Sequence, residues 1–418
     1  MRRNRWLGLS AKTLTEAISL IEPGMTVFIH GTATEPRTLC SALSESPNRL
    51  ADVHVITSFI PGINTVSLSG IASGQRYTTF MATATDASGA GQHEALRLPY
   101  SALNDFVENL PQLDLAFVPG RITASGRIST GITGELIPMT TQRADCTVLI
   151  DNLEMPVPAA GCSLESVDHV CGVSAPLIEY LPGARTDSVT TEIASRVAEL
   201  VPDGATIQAG LGVIPSAVFS ALCQRRRLRV FSGMISDATI ALAESGALDA
   251  NAEHVYGMAM GSQRFYAWLD RRPGFRVAAC DETHSRKLLA SLPQFFAMNS
   301  AVEVALDGSV NAEQLGAKKI SGPGGLPDYA FGGSNSVGGA SIVALPASNR
   351  KRGLSRIVAK LANHEAPTLE AGLTTHVVTE FGVADLRTDD LKLRAERLIS
   401  IADPDHRASL RKAVSDCG

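Results

Sequence analysis

The sequence predicts an α/β protein with two open, largely parallel sheets, one in each half of the chain. Three observations carry that reading. Short apolar runs with strand character alternate with runs of helical spacing, and glycine and proline cluster where the two kinds meet. The pattern also lapses once, near residue 180, and then begins again.

Taken in order, Leu14 to Leu20 has helical spacing and stops at Pro23-Gly24. Met25 to Ile29 follows as a buried strand ending at His30-Gly31. A second helix runs from Glu35-Pro36 towards Leu43, with its proline near the N-terminus, where a missing N–H costs nothing. Val53 to Ile56 is the next strand, and Leu113 to Val118 and Cys146 to Ile150 repeat the theme. After the lapse a helix starts near Val189 and runs to Leu200, so domains 1–186 and 187–418 are expected. Beyond Pro202-Asp203-Gly204 comes a strand from Ala205 to Ala209, a glycine turn and a helix from Pro215 to Cys223. A strand from Leu228 to Phe231 and a helix from Asp237 to Glu244 follow, with Gly246 as the stop. The openings Glu22 to Ile29 and Val201 to Gln208 are alike, which suggests an ancient duplication.

Composition excludes several classes. The 418 residues are 44% hydrophobic and 19% charged, enough for a large core and unlike a disordered chain. The formal net charge of −5 lacks the basic footprint of a nucleic-acid binder, and Arg225-Arg226-Arg227 reads as a solvated helix end. No run approaches the ~18 apolar residues of a membrane span. The opening Arg2-Arg3-Asn4-Arg5 has no adequate apolar stretch before Lys12 and Glu16, so secretion is not expected. Seven cysteines without a C-x-x-C pair fit reduced thiols in a cytoplasmic protein. Neither Cys162, His169 and Cys171 nor His364-Glu365 has the spacing of a zinc site, so no metal is expected.

Gly210-Leu211-Gly212, between strand and helix, suits close approach of a phosphate, thioester or carboxylate to backbone N–H groups. Pro215 stands where the third glycine of G-x-G-x-x-G would fall, which disfavours a dinucleotide. Neither a phosphate-binding G-x-x-x-x-G-K-[ST] loop nor a G-x-S-x-G nucleophile elbow is present.

Several segments read together are more specific. These are Gln208 to Pro215, Ser232-Gly233-Met234-Ile235-Ser236-Asp237, Asn299 to Val304 and Gly308 to Glu313. Ile320 to Asp328, Gly338 to Pro346, Thr374 to Arg387 and Ala395 to Ala402 continue the series. In that order they resemble the acetyl-CoA hydrolase/transferase family, which includes 4-hydroxybutyrate and butyrate–acetate CoA-transferases. The match is dense from about 190 to 410 and sparser before. There Gly31 to Leu39, Leu98-Pro99-Tyr100-Ser101 and Leu113 to Ala116 keep the expected order.

The resemblance implies two domains of the CoA-transferase (NagB/RpiA-like) type, with the active site between domains, and a homodimer or higher assembly. The substrates it implies are an acyl-CoA thioester and a small carboxylate such as acetate, with no bound cofactor beyond coenzyme A itself. In the family a glutamate attacks the thioester, so that one hard exchange is divided into easier covalent steps. The residue aligned with that glutamate here is Gly233, which has nothing to acylate. Two lysines that commonly flank the late Gly-Gly align with Val337 and Ala340.

Three readings follow: hydrolysis in the space left at Gly233, CoA transfer through a different carboxylate, or a non-catalytic CoA-binding or regulatory homologue. Candidates for a replacement group are His30, Glu35, Asp237, Glu303 and, on a segment that matches poorly, His284. Each has a plainer role: Asp237 as a helix-start charge, Glu303 as a paired structural carboxylate, His30 as a satisfied strand-end histidine, Glu35 as a solvent-facing residue. Gly210, Gly212, Gly322, Gly324, Gly325, Gly338 and Gly339 are expected to shape the CoA and acyl pocket by close backbone approach, with turn geometry as the alternative. A glutamate restored at 233 is expected to raise CoA transfer, provided the pocket is otherwise intact.

Overall fold

The computed structural model describes residues 10–81, 92–181, 187–349, 351–361 and 366–415. The chain divides into two compact units. The first comprises Met1–Tyr180, Val255–Glu282 and Lys319–Gly324, and the second Leu181–His254, Thr283–Lys318 and Gly325–Gly418.

In the first unit eight strands pair side by side in parallel. Their order is Ser10–Lys12, His169–Val173, Cys146–Asn152, Leu115–Ile122, Thr26–Ile29, His54–Thr57, Arg76–Thr79 and Gln92–Ala95. Thr26–Ile29 lies centrally, with Val27 in register with Leu115 on one side and Val55 on the other. All four of its residues are buried. A parallel strand covered on both faces reads as a continuous apolar run, which is what made it visible in the sequence. The helix Leu14–Ile18 starts with a capping box between Thr13 and Glu16. The helix Arg37–Glu45 turns Leu39 and Cys40, with Leu43 one turn on, into the core cluster that includes Val27, Ile29 and Val55.

The second unit has its own parallel sheet, in the order His376–Thr379, Ala340–Ala344, Phe295–Ser300, Thr206–Ala209 and Arg229–Ile235. Gly382–Asp385 adds an antiparallel edge. The helix Val213–Ala221 begins two residues before Pro215, because a proline in the first turn removes an N–H that has no intrahelical partner anyway. The helix Ala238–Glu244 ends as expected at Gly246. That glycine has φ +71°, its N–H reaches Ala243 O, and Ala247 N reaches Leu242 O, the paired bonds of a Schellman stop. The strand expected to end at Phe231 runs on to Ile235, so Gly233 lies within a strand.

Among the described residues no helix is long and apolar enough to cross a membrane. None of the six described cysteines is in a disulfide. Cys417 and the pair His364-Glu365 lie outside the described residues.

The helix Ser188–Leu200 is capped by Asp187, whose carboxylate accepts from Thr190 N at 2.8 Å. Asp187→Ala is expected to lower unfolding free energy by about 1 kcal/mol, read as a lower urea midpoint at unchanged slope.

Candidate active site

Gly233 is the position that the family resemblance aligns with a glutamate, and the structure shows what surrounds it. A Cβ built there would lie 2.8 Å from His284 Nε2, 2.9 Å from His284 Cε1 and 2.9 Å from the Tyr329 hydroxyl. Gly325, just ahead of the helix Leu326–Asn335, meets the same imidazole. Its Cβ would lie 2.5 Å from His284 Nε2. Real Cβ atoms do not approach so closely, so the histidine ring occupies space that exists only because both positions are glycine. The space at Gly233 is therefore filled by side chains of this chain, and the condition for simple restoration of a glutamate is not met.

The ring is held from its other side. His284 Nδ1 lies 3.0 Å from Thr283 Oγ1, and the Tyr329 ring meets the imidazole edge-on at 4.9 Å between centroids. The Tyr329 hydroxyl donates to Thr283 O at 2.8 Å, which fixes ring and backbone together. His284 is 4% exposed, and burial pushes its imidazole down to about 3, so it is neutral at ordinary pH.

The glycines divide by role. At Gly210 a Cβ would lie 2.5 Å from Asn299 Oδ1, and that amide exchanges hydrogen bonds with buried Gln208 at 3.2 and 3.1 Å. Gly210 thus lets the loop pass over a rigid amide pair. Gly212 has φ +123° and opens the helix Val213–Ala221, where no side chain caps the first N–H groups. Beside them lies a narrow cleft of about 10 Å³, the space one water needs, lined by residues including Gly210, Pro215, Ser216, Met234 and Ser236.

Gly338, at φ +71°, and Gly339 form the turn between the helix Leu326–Asn335 and the strand Ala340–Ala344. A Cβ on Gly339 would strike Phe295 O at 2.5 Å. Ser336 locks that turn by donating to Leu292 O and accepting from Phe295 N. In the first unit, Gly322 packs where a Cβ would lie 2.5 Å from Phe80 O. Gly324 has φ +56°, and its carbonyl accepts from Tyr100 N at 3.1 Å.

The candidate acids and bases are not all equivalent. His30, 1% exposed, is a core histidine. Its Nε2 lies 2.8 Å from Thr140 Oγ1, Phe28 packs on its ring, and burial pushes it down to about 3. The Thr140 hydroxyl is within donating distance of Leu136 O and Ile137 O, so it accepts from Nε2–H and leaves Nδ1 as a buried bare acceptor.

Glu35 does not face solvent. It is 6% exposed, Asn64 Nδ2 donates to its Oε2 at 2.8 Å, and the Cys40 thiol also hydrogen-bonds the carboxylate. Asn64 also bonds Thr32 N and Thr32 O, clamping the loop that carries the carboxylate. Burial raises the Glu35 carboxyl against the opposing effect of the Asn64 bond. Asp237 is the N-cap of Ala238–Glu244 but makes no capping bond, and Glu303 is half-buried with Asn311 Nδ2 at 3.4 Å.

One acid escaped the sequence reading. Glu135, 2% exposed, accepts from the Tyr100 hydroxyl at 3.2 Å, and burial pushes its carboxyl up to about 8. Tyr100 belonged to a matched stretch, but nothing in the sequence tied it to Glu135.

Open parallel sheets with glycine turns at strand ends define an α/β protein. Its fold is that of RipA from Yersinia pestis, with a TM-score of 0.87 at 23% identity over 98% of this chain and 97% of that one. The family model for the acetyl-CoA hydrolase/transferase C-terminal domain matches residues 261–414. The chain is 31% identical to a succinyl-CoA:acetate/propanoyl-CoA:succinate CoA transferase of Fasciola hepatica, over 96% of this chain and 87% of that protein. It is 28% identical to the 4-hydroxybutyrate coenzyme A transferase of Clostridium kluyveri over 95% of both. The chain belongs to the acetyl-CoA hydrolase/transferase family.

Two outcomes test this geometry. Gly233→Ala alone is expected to lose about 1–3 kcal/mol by overpacking, and adding His284→Ala should recover part of that loss, as read from denaturant midpoints in a double-mutant cycle. Glu135 is buried as the neutral acid, so its contribution is fully present below the ordinary carboxyl value and declines as pH rises towards about 8. Thermal melts of Glu135→Gln should show a flatter fall over that window than the parent.

Proposed function

We propose that the chain acts on an acyl-CoA thioester, by hydrolysis or by CoA transfer to a small carboxylate, without a glutamyl adduct at position 233. The observation that carries the reading is the pair formed by full-length similarity to CoA transferases and a glycine whose side-chain space is taken by His284 and Tyr329. The similarity supports an acyl-CoA substrate. The glycine removes the covalent route that the family resemblance implies.

Without that route the reaction needs backbone donors for the developing oxyanion and a group that takes a proton. The amides after Gly210 and Gly212, at an uncapped helix start, suit the first need. One such donor is worth about 3 kcal/mol of transition-state stabilisation. Among the acids of the first unit, Glu35, a carboxyl raised by burial on a clamped loop, has the chemistry for the second. Acetate as the small acid, a homodimer and a cytoplasmic setting go with the same reading as what family resemblance suggests.

A non-catalytic CoA-binding homologue is the second reading, favoured by the filled space at 233. Thiol release from a panel of acyl-CoAs, measured beside CoA binding, separates the two: turnover supports the enzyme, and binding without turnover supports the homologue. Borohydride reduction followed by peptide mass analysis should find no glutamate converted to its alcohol; such a residue elsewhere in the chain would favour CoA transfer through a different carboxylate over hydrolysis. Glu35→Gln is expected to lower kcat by about 10²–10⁴ with CoA binding kept. In the parent enzyme the acidic limb of the rate profile should lie above the ordinary carboxyl range.

A further inference from the structure

A cavity of about 120 Å³ opens in the first unit at the carboxyl ends of the strands His54–Thr57 and Arg76–Thr79, the usual place for a ligand in an open parallel sheet. That is roughly ten times the space one water needs. Its walls include Phe59, Ile60, Tyr77 and Thr79, each 8% exposed or less, while Thr65 and Ser67 stand exposed at the rim. Among the described residues none that lines it carries a charge. The Tyr77 hydroxyl lies 2.8 Å from Thr57 Oγ1, but the Thr79 hydroxyl, on a residue 4% exposed, has no hydrogen-bond partner among the described residues. A buried hydroxyl on a cavity wall favours an occupant that pairs with it.

The walls are held by two stretches that carry the family resemblance, Gly31 to Leu39 and Ile320 to Asp328. Asn64 Oδ1 accepts from Ile60 N at 2.8 Å and from Thr32 N at 3.1 Å, and its Nδ2 donates to Thr32 O and to Glu35 Oε2. All four hydrogen-bonding places of that amide are then filled, so Asn64 shapes the cavity and leaves the occupant to the hydroxyls. Met81, another wall residue, has its Sδ 3.9 Å from Ser321 Oγ, and a Cβ on Gly324 would lie 3.0 Å from its Cε.

We propose that this cavity receives the acyl chain of the thioester and selects a short chain without a second carboxylate, with the Thr79 hydroxyl pairing an oxygen carried on the chain. The inference rests on the acyl-CoA reading above. A dicarboxylic chain such as succinyl would bring a charge against walls that offer it no cation, and an unpaired charge is costly to desolvate. A plain hydrocarbon chain meets Phe59 and Ile60 well but covers the Thr79 hydroxyl without pairing it. A hydroxylated chain does both. Sites that hydrogen-bond a substrate oxygen discriminate against analogues lacking it, so Thr79 sets the order of preference and the uncharged walls set its limit.

The test measures binding to the full chain by calorimetry, with CoA, butyryl-CoA, 3-hydroxybutyryl-CoA, 4-hydroxybutyryl-CoA and succinyl-CoA as probes, and so reads the cavity whether or not turnover follows. The parent is expected to bind at least one hydroxybutyryl-CoA about threefold to tenfold more tightly than butyryl-CoA, the worth of one hydrogen bond. Succinyl-CoA should bind about tenfold more weakly than butyryl-CoA, or worse. Thr79→Val, which keeps the branched shape, should abolish the preference for the hydroxylated chain with butyryl-CoA bound as before, and Thr79→Ser, which keeps the hydroxyl, should retain it. Ser67→Arg, on the exposed rim, should strengthen succinyl-CoA binding by supplying a partner charge. Acyl-CoAs bound no better than CoA itself, succinyl-CoA bound as tightly as butyryl-CoA, or a hydroxyl preference that is absent or survives Thr79→Val within about twofold would overturn the selection and leave the acyl-CoA reading standing. A parent that binds neither CoA nor any acyl-CoA overturns that reading, and the selection with it.

Discussion

The contact between the His284 imidazole and two glycines is the constraint from which the rest of the candidate site follows. Interiors are packed to crystal density, so a ring whose edge lies within 3 Å of two would-be Cβ atoms makes Gly233, Gly325 and His284 one unit. None of the three varies alone without cost, and substitution effects at such positions do not add. Tyr329 joins them through the ring contact and through Thr283 O. Gly233 is thus the complement of a side chain supplied from elsewhere in the chain.

The scaffold makes such a contact possible. Gly233 lies inside the strand Arg229–Ile235, whose first residues pair in parallel with Thr206 and Ile207. The helix Leu326–Asn335 brings Gly325 and Tyr329 one turn apart to the same ring. Asp328, fully buried in its first turn, accepts from Arg286 Nε at 2.8 Å, tying that helix to the segment that carries His284. Removing one partner of such a pair strands the other charge, which gives this tie a structural weight beyond its single bond.

Much of the fold was legible because its central strands are continuous apolar runs and its helices are bounded by proline, glycine and capping side chains. Thr26–Ile29, Thr206–Ala209 and the stop at Gly246 are examples. The strands Arg76–Thr79 and Gln92–Ala95 were not, since they lie towards the sheet's edge and carry polar residues where core strands carry valine and isoleucine. The strand through Gly233 read short because glycine weakens the β pattern just where the site begins. The site itself was half legible. Family motifs marked Gly233, but His284 lay on a poorly matching segment, and its place against the glycine is a tertiary fact that no local pattern encodes. Glu35 was named with solvent exposure left open as its plainer role, because burial by Asn64 and the 30–35 loop is likewise non-local.

The same physics bears on what a carboxyl placed at 233 would meet. Desolvation disfavours whichever form of a group is charged, so it lowers a histidine and raises a carboxyl. The surroundings that push His284 down to about 3 would push a carboxyl in that space up, as burial pushes Glu135 up to about 8 in its own pocket. A protonated acid is neither a nucleophile nor an anion. An imidazole under the same burial stays neutral, so the packing against Gly233 and Gly325 holds an uncharged ring where a carboxyl would be driven to its neutral acid.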